Sequence, residues 1–426
     1  MSENEKLLPK RRFKEFKNAD AWEQRKLGDL AEVRTGKAFS SADFNDDGEY
    51  LVVTNKNIQD EANGITSVGD RIDISEATIL DNYLLSGDNI LVTMDGVNIG
   101  KTGRYSNEKA VLAQRVGRLN SEQLEFVCQI TISNKFVSEM NKLSVGNAIK
   151  HISLKQISDY SFSAPISEEE QEKIGTFFKQ LDKTIALHQR KLNKTKALKS
   201  AYLSEMFPAE GECEPKRRFA GFTQAWEQSE FQNIFSHIQN NALSRADLNY
   251  ENGYALNLHY GDILTKFGEY LDVSKNKLPM ISNELVVAKY KSSFLKNGDI
   301  VIADAAEDET VGKCCEIAGL GDVDMLAGLH TIPCRPNRNF ASGYLGYYMN
   351  SFAYHDQLLP LIQGTKVSSI SKSALKTTNI KYPKEINEQT KIGNFFNQLD
   401  QLITLHERKV KKLQNLKRAY LHEMFV

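Results

Sequence analysis

A 37-residue segment occurs twice in this chain, 218 positions apart and without a gap. Gln171 to Phe207 reads QEKIGTFFKQLDKTIALHQRKLNKTKALKSAYLSEMF, Gln389 to Phe425 reads QTKIGNFFNQLDQLITLHERKVKKLQNLKRAYLHEMF, and 23 of 37 positions are identical. A period this long exceeds any solenoid unit of roughly 20–50 residues, so the repeated object is a whole domain with a connecting element. Within the segment Ile174, Phe178, Leu181, Ile185, His188 and Leu192 follow 4-3-4-3-4 spacing, as do Ile392, Phe396, Leu399, Ile403, His406 and Val410. That spacing is the seam of a coiled coil. Pro165 and Pro383 introduce the two helices, and Ser167 with Glu170 forms a capping box at the first. At ~1.5 Å per residue each helix is a rod of about 55 Å, whose natural partner is its own copy running antiparallel. His188 and His406 lie on the seam and read as packed or rim-facing side chains, not as ligands.

The repeat extends beyond the rods. PKRRF occurs at Pro9 to Phe13 and at Pro215 to Phe219, each followed by a second aromatic, Phe16 or Phe222, and by Ala-Trp-Glu-Gln, Ala21 to Gln24 and Ala225 to Gln228. The aromatics are expected to pin each domain to the helices, with the basic run solvated. Gly146 to Pro165 aligns with Gly364 to Pro383 at the same offset, through Ile152/Ile370 and Ser153/Ser371. Between these anchors the halves diverge, as a shared scaffold with two specialised faces would.

The divergent centres read as mixed α/β. GDNILVTMDG (Gly87 to Gly96) and GDIVIADAAE (Gly298 to Glu307) are short buried strands opened by Gly-Asp turns, and Phe126 to Leu143 reads as helical. Gly100-Lys101 and Gly312-Lys313 follow the two strands at corresponding points, so the centres are expected to share a fold. The chain therefore divides into an anchor (1–24), a first domain (25–164), a long helix (165–207), a linker with the second anchor (208–228), a second domain (229–382) and a second long helix (383–426). Its fold class is α/β: two mixed domains separated by two long helices that pair as an antiparallel coiled coil, with an internal pseudo-two-fold repeat.

With 41% hydrophobic and 26% charged residues, 426 residues suffice for two or three ordinary cores. No apolar run approaches the ~20 residues that span a bilayer, and the charged start MSENEKLLPKRRFKEF does not resemble a signal peptide. A cytoplasmic protein without a membrane partner is expected. Five scattered cysteines, Cys128, Cys213, Cys314, Cys315 and Cys334, suit a reducing compartment. His330 with Cys334 and the Cys314-Cys315 pair imitate half a zinc site, but no second pair at ligand spacing completes it, so burial is the expected role and no metal is assigned. The two rods carry +5 and +4, which leaves the remaining chain at −10 against an overall −1. A nucleic-acid surface outside the rods must then be a local patch.

Catalytic motifs do not emerge. GVNIGKT, Gly96 to Thr102, has three residues between its glycines where a phosphate-cradling loop needs four, and the second half replaces its Thr by Cys314. There is no GxSxG elbow, HExxH pair or dinucleotide fingerprint.

The arrangement PKRRF-x-x-F…AWEQRKLGDL, a divergent segment, then EQ-x-KIG-x-FF-x-QLD-x-x-I-x-LH-x-RK…LK-x-AYL-x-EMF, given twice, resembles the specificity subunit of type I restriction-modification systems. The resemblance covers essentially the whole chain. It implies two target-recognition domains, each reading half of an asymmetric split sequence in double-stranded DNA, with the paired helices as a ruler. It implies a non-catalytic subunit that binds no cofactor. Two methyltransferase subunits using S-adenosylmethionine and motor-nuclease subunits using ATP and Mg would be its partners. A duplicated scaffold that binds only protein is the alternative, and a self-sufficient nuclease or methyltransferase is a further one that lacks a recognisable site.

Base edges call for Arg, Lys, Asn or Gln on loops, and phosphates for Lys, Arg, Ser or Thr. In the first domain the candidates are Thr54, Asn55, Lys56, Asn57, Lys101, Arg104, Gln114, Arg115 and Lys150; in the second they are His259, Lys266, Lys313, His330, Lys366 and Ser368. Lys101/Lys313 and Lys150/Lys366 stand in matching or nearly matching loops. A residue shared by domains that read different sequences is expected to grip phosphate.

Overall fold

The computed structural model describes residues 7–58, 68–146, 150–364 and 366–426. The chain forms two compact units, one gathering residues up to Arg190 with Arg408–Val426 and the other Lys191–Glu407. Both boundaries fall inside the long helices, so each unit holds one globular domain and a portion of each rod.

The first unit comprises β1 (Glu23–Lys26), α1 (Leu27–Leu30), β2 (Glu32–Thr35), β3 (Tyr50–Val53), β4 (Arg71–Ile72), α2 (Ala77–Tyr83), β5 (Asn89–Thr93), β6 (Thr102–Tyr105), β7 (Ala110–Leu112), β8 (Val116–Asn120), α3 (Leu124–Thr131), α4 (Asn134–Leu143), α5 (Leu154–Ser158) and β9 (Ser161–Ala164), which lead into α6 (Glu168–Glu205). One sheet has the order β2-β8-β5-β6, a second β4-β3-β7, and β1 pairs with β9. All five residues of β5 are buried, as a central strand covered on both faces requires. The segment from Phe126 to Leu143 is two helices, not one. Ser133 Oγ accepts the Phe136 N–H at 3.1 Å and starts α4 afresh. Trp22, Phe126, Phe136, Ile174 and Phe178 share a core with Met424.

The second unit comprises β10 (Glu227–Glu230), α7 (Phe231–Ile234), β11 (Phe235–His237), β12 (Leu248–Asn249), β13 (Ala255–Leu258), α8 (Tyr260–Thr265), β14 (Tyr270–Asp272), β15 (Met280–Ile281), α9 (Glu284–Lys289), β16 (Ile300–Ala303), β17 (Ala305–Ala306), β18 (Cys314–Ala318), β19 (Met325–Ala327), β20 (Thr331–Pro336), α10 (Tyr344–Met349), α11 (Phe352–His355), β21 (Ser368–Ser369), α12 (Lys372–Leu375), β22 (Asn379–Tyr382) and α13 (Ile386–Met424). Its main sheet, β11-β20-β16-β18-β14, repeats the first unit's order and adds β14. The parallel pair β13/β19 corresponds to β3/β7, and β10/β22 to β1/β9. The divergent centres thus share one framework.

In each unit the rod portions run antiparallel. In the first, Lys417 Nζ lies 2.6 Å from Asp182 Oδ1, and the rings of Phe177 and Tyr420 meet at 5.2 Å. In the second, the repeat-equivalent Lys199 lies 2.6 Å from Asp400, and Tyr202 meets Phe395 at 4.9 Å. Of the seam residues, Ile174, Phe178, Leu192, Ile392, Phe396, Leu399 and Val410 are buried. Leu181, Ile185 and Ile403, with His188 and His406, are half-buried. Ile392, Phe396 and Leu399 enter the domain core as well as facing a helix.

Candidate nucleic-acid interface

In the first unit β3 and β7 end side by side at Val53 and Leu112, and the loops leaving them build a rim. Thr54 opens a single turn, its N–H and Oγ1 donating to Asn57 Oδ1 at 2.9 and 3.1 Å. Buried Asn57 also donates from Nδ2 to the Val68 carbonyl at 3.1 Å, so it fixes the loop from inside and leaves Lys56 exposed. Asn55 donates to the Asp95 carboxylate, which also receives Arg115 Nη1 at 3.3 Å. Three residues, Ala113, Gln114 and Arg115, connect β7 to β8; Gln114 and Arg115 are exposed, and Arg115 has φ +66°. The Gly96 N–H donates to the carbonyl of exposed Lys150 at 3.1 Å. Asn55, Arg115 and the Lys150 loop therefore meet around Asp95.

Arg104 stands apart from this rim. Both of its terminal nitrogens donate to Glu125, which Lys179 of α6 also approaches at 2.5 Å. Burial pushes the Glu125 carboxyl up, but Arg104 and Lys179 outweigh it and hold the group below its ordinary value. The guanidinium is thus spent on joining β6, α3 and α6.

The second unit repeats the rim with other side chains. The Gly328 N–H donates to the Leu258 carbonyl at 2.8 Å as the Ala113 N–H does to Val53 at 3.0 Å, and Gly328, Leu329 and His330 connect β19 to β20. His330 has φ +55°, and its Nδ1 lies 3.2 Å from Asp304 Oδ1. Burial raises the Asp304 carboxyl, and His330 offsets part of that. His259 stands where Thr54 stands in the first unit. Its Nδ1 accepts the Gly261 N–H at 3.2 Å, while burial and then the Arg245 charge hold the imidazole below its ordinary value. His259 is therefore a neutral helix cap. Lys266 Nζ is engaged by Asp262 at 2.8 Å and the Tyr250 hydroxyl at 3.0 Å.

The paired lysines occupy matched loops only in part. The Gly100 and Gly312 N–H groups donate to Thr93 and Ala303 at 2.9 Å, which puts Lys101 and Lys313 at one position. Lys313 Nζ donates to the Leu264 carbonyl at 3.1 Å. Strand register matches Lys150 to Ser368, since His151 faces Asp95 as Ser369 faces Ala305. Exposed Lys366 precedes that point by two residues. Sequence reasoning passed over Asp95 and Asp304, whose only signal is an acid just beyond each fully buried strand.

The repeated anchors are clamps. Arg12 donates Nε and Nη2 to Glu170 at 2.7 and 2.6 Å, and Arg218 donates the same pair to Glu388 at 2.7 and 2.9 Å. Arg11 reaches Glu423 at 2.5 Å and stacks over Tyr420, as Arg217 reaches Glu205 at 2.7 Å and stacks over Tyr202. Each PKRRF thus grips the start of one long helix and the end of the other. The expectation of a solvated basic run holds for Lys10, Arg11, Lys216 and Arg217 and is corrected at Arg12 and Arg218: the Arg12 side chain is 8% exposed because a buried carboxylate waits for it. The capping box is corrected too. Ser167 Oγ accepts the Glu170 N–H at 3.4 Å, but the Glu170 side chain goes to Arg12. The aromatics pin as expected, with Phe13 on Phe177, Trp22 on Phe425, Phe219 on Phe395 and Trp226 on Phe207.

Among the described residues no three His, Cys, Asp or Glu side chains gather as a metal site, and no helix is long and apolar enough to cross a membrane. Cys334 packs 3.8 Å from His237 Nδ1, and Cys314 and Cys315 are buried.

The type I restriction modification DNA specificity domain matches this chain twice, over residues 19–197 and 224–415. The specificity subunit of the type I restriction enzyme MjaVIII of Methanocaldococcus jannaschii is 23% identical over 418 residues, covering 94% of this chain and 91% of the relative. The crystal structure of the type I restriction-modification S subunit from M. genitalium shares the fold, with a TM-score of 0.63 at 13% identity over 99% of each chain. With two matched domains on one framework, each clamped to the same pair of helices, the chain belongs to the type I restriction-modification DNA specificity family and is a specificity subunit with two DNA specificity domains.

Proposed function

We propose that this subunit reads an asymmetric two-part sequence in double-stranded DNA, one domain per part, and carries out no chemistry itself. The observation that carries the reading is the pair of rims: one strand framework, two different sets of polar side chains at the same loop ends. Two identical rims would favour a palindrome; two different ones favour unlike half-sites. Lys101, Lys150, Lys313, Lys366 and Ser368 grip phosphate, and the exposed residues that differ between the rims read bases. The long helices act as the ruler that sets the spacer between the two half-sites. Two methyltransferase subunits dock on the repeated regions and supply S-adenosylmethionine chemistry, and motor-nuclease subunits that use ATP and Mg join them. The setting is the cytoplasm.

The test is long-read mapping of methylated bases in cells that express the chain with its modification subunits. A two-part motif is expected, and its spacer should change when one helical turn is inserted into both rods while its two parts stay the same. Binding of the purified assembly to random duplex should fall steeply with salt. A palindromic motif, or a spacer indifferent to the insertion, refutes the reading.

A further inference from the structure

Among the described residues, Arg115 and His330 are the two non-glycine positions with positive φ. A side chain is strained there, and such strain is held where the surroundings require it. The two positions are the same position. Each is the third residue of a three-residue connection leaving the parallel strand pair, each is followed by a strand that pairs with the central strand (Thr93↔Val116, Ala303↔Thr331), and each carbonyl accepts an N–H from the end of that central strand. The Met94 N–H donates to Arg115 at 3.2 Å and the Asp304 N–H to His330 at 3.1 Å. Both side chains are well exposed, 61% and 50%, and both are oriented by a carboxylate, Asp95 or Asp304. What the two units share is the backbone; the orienting acid is supplied from neighbouring positions, Asp304 aligning with Met94 and Asp95 with Ala305, and the side chain it orients differs.

We propose that Arg115 and His330 are the paired specificity-determining residues of the two domains, each reading one base pair of its half-site; this rests on the DNA-reading function proposed above. Their chemistry makes the bases unlike. An oriented guanidinium matches the O6 and N7 acceptors of guanine in the major groove. In the tautomer whose Nδ1–H donates to Asp304, the His330 Nε2 is left as an acceptor, the complement of the amino group of adenine or cytosine.

Arg115→Gly and His330→Gly test this, because glycine adopts positive φ freely and the fold should be kept; Arg115→Asn and His330→Asn are second variants that also tolerate the conformation. Each is expressed in the full assembly and its methylated sites are mapped. Arg115→Gly should lower discrimination for guanine at one position of one part by roughly 5- to 150-fold and leave the other part intact. His330→Gly should do the same for an adenine or cytosine in the other part. An unchanged motif in both variants, an even loss at every site, or relaxation of one part by both variants overturns the assignment. A wild-type assembly without any sequence motif would instead overturn the underlying DNA-reading function.

Discussion

Replacing Arg12 by alanine should destabilise the first unit by about 3 kcal/mol, and the figure follows from what the side chain holds. Its guanidinium makes four hydrogen bonds, two to Glu170 and one each to the Ala19 and Asp20 carbonyls at 2.9 and 3.0 Å. The Glu170 side chain is 1% exposed. Without Arg12 it is a buried, unpaired anion, and breaking such a pair costs about 3–5 kcal/mol. The first turn of α6 recovers about 0.3–1 kcal/mol, since unpaired N–H groups at a helix start favour a negative charge. The chain has one tryptophan in each unit, Trp22 and Trp226, so a Trp226→Phe background lets Trp22 fluorescence report the first unit alone in urea. The midpoint should fall by roughly 1–3 M. The double variant Arg12→Met with Glu170→Met should lie within about 1 kcal/mol of the parent, because an apolar pair replaces an ion pair without an orphaned charge. If Arg12→Ala costs less than about 1 kcal/mol, or the double variant is as unstable as the single, the clamp does not hold the helix as described.

Three further outcomes are expected. Gly175→Ala and Gly393→Ala should destabilise their units even though helix propensity favours alanine by about 1 kcal/mol, and thermal melts that rise instead refute the packing. A Cβ at Gly175 would stand 2.6 Å from the Phe126 nitrogen, and one at Gly393 would stand 2.5 Å from the Ser342 oxygen. Lys199→Met should cost about 2–4 kcal/mol by urea titration, since it leaves Glu269 and Asp400 facing each other without the cation between them; a change below about 0.5 kcal/mol would show the trio to be solvated. Finally, Glu316 is buried beneath the start of α10, and burial raises its carboxyl to about 7 despite hydrogen bonds from the Gly343 and Gly346 N–H groups. Its folded value exceeds its unfolded one, so the folded state binds the extra proton. Stability should therefore fall by about 3 kcal/mol as pH rises from roughly 4.5 to 7 and then level off. His237 and His259 are held below their ordinary values and contribute the opposite slope, losing stability as pH falls from roughly 6.5. The difference between wild type and Glu316→Gln across this window isolates the carboxyl, and a pH-independent difference refutes it.

The framework was legible because it is written twice in periodic apolar residues. The rods, the two central strands and the aromatic pins follow from spacing and burial alone. What was illegible depends on partners distant in sequence. Nothing local distinguishes Arg12, whose side chain is largely covered, from Lys10, which is exposed; Glu170, 158 positions away, decides it. Asn57 and Arg104 read as polar loop residues and are in fact spent on a turn and on Glu125. Loop polarity identifies groups that can bond a base, but not those already bonded.

That distinction orders the candidates. A base reader must be exposed, oriented and free to differ between the halves, while a scaffold residue must be satisfied and repeated. Arg12/Arg218, Lys199/Lys417 and Gly175/Gly393 meet the second description, each pair performing the same task in both units. Arg115 and His330 meet the first. Selection on such a chain can alter the tips without touching the clamps, because no clamp residue lies on a rim. On the proposed function, a change of target then requires only new side chains on loops whose backbone is already fixed by β5 and β8 in one unit and by β16 and β20 in the other.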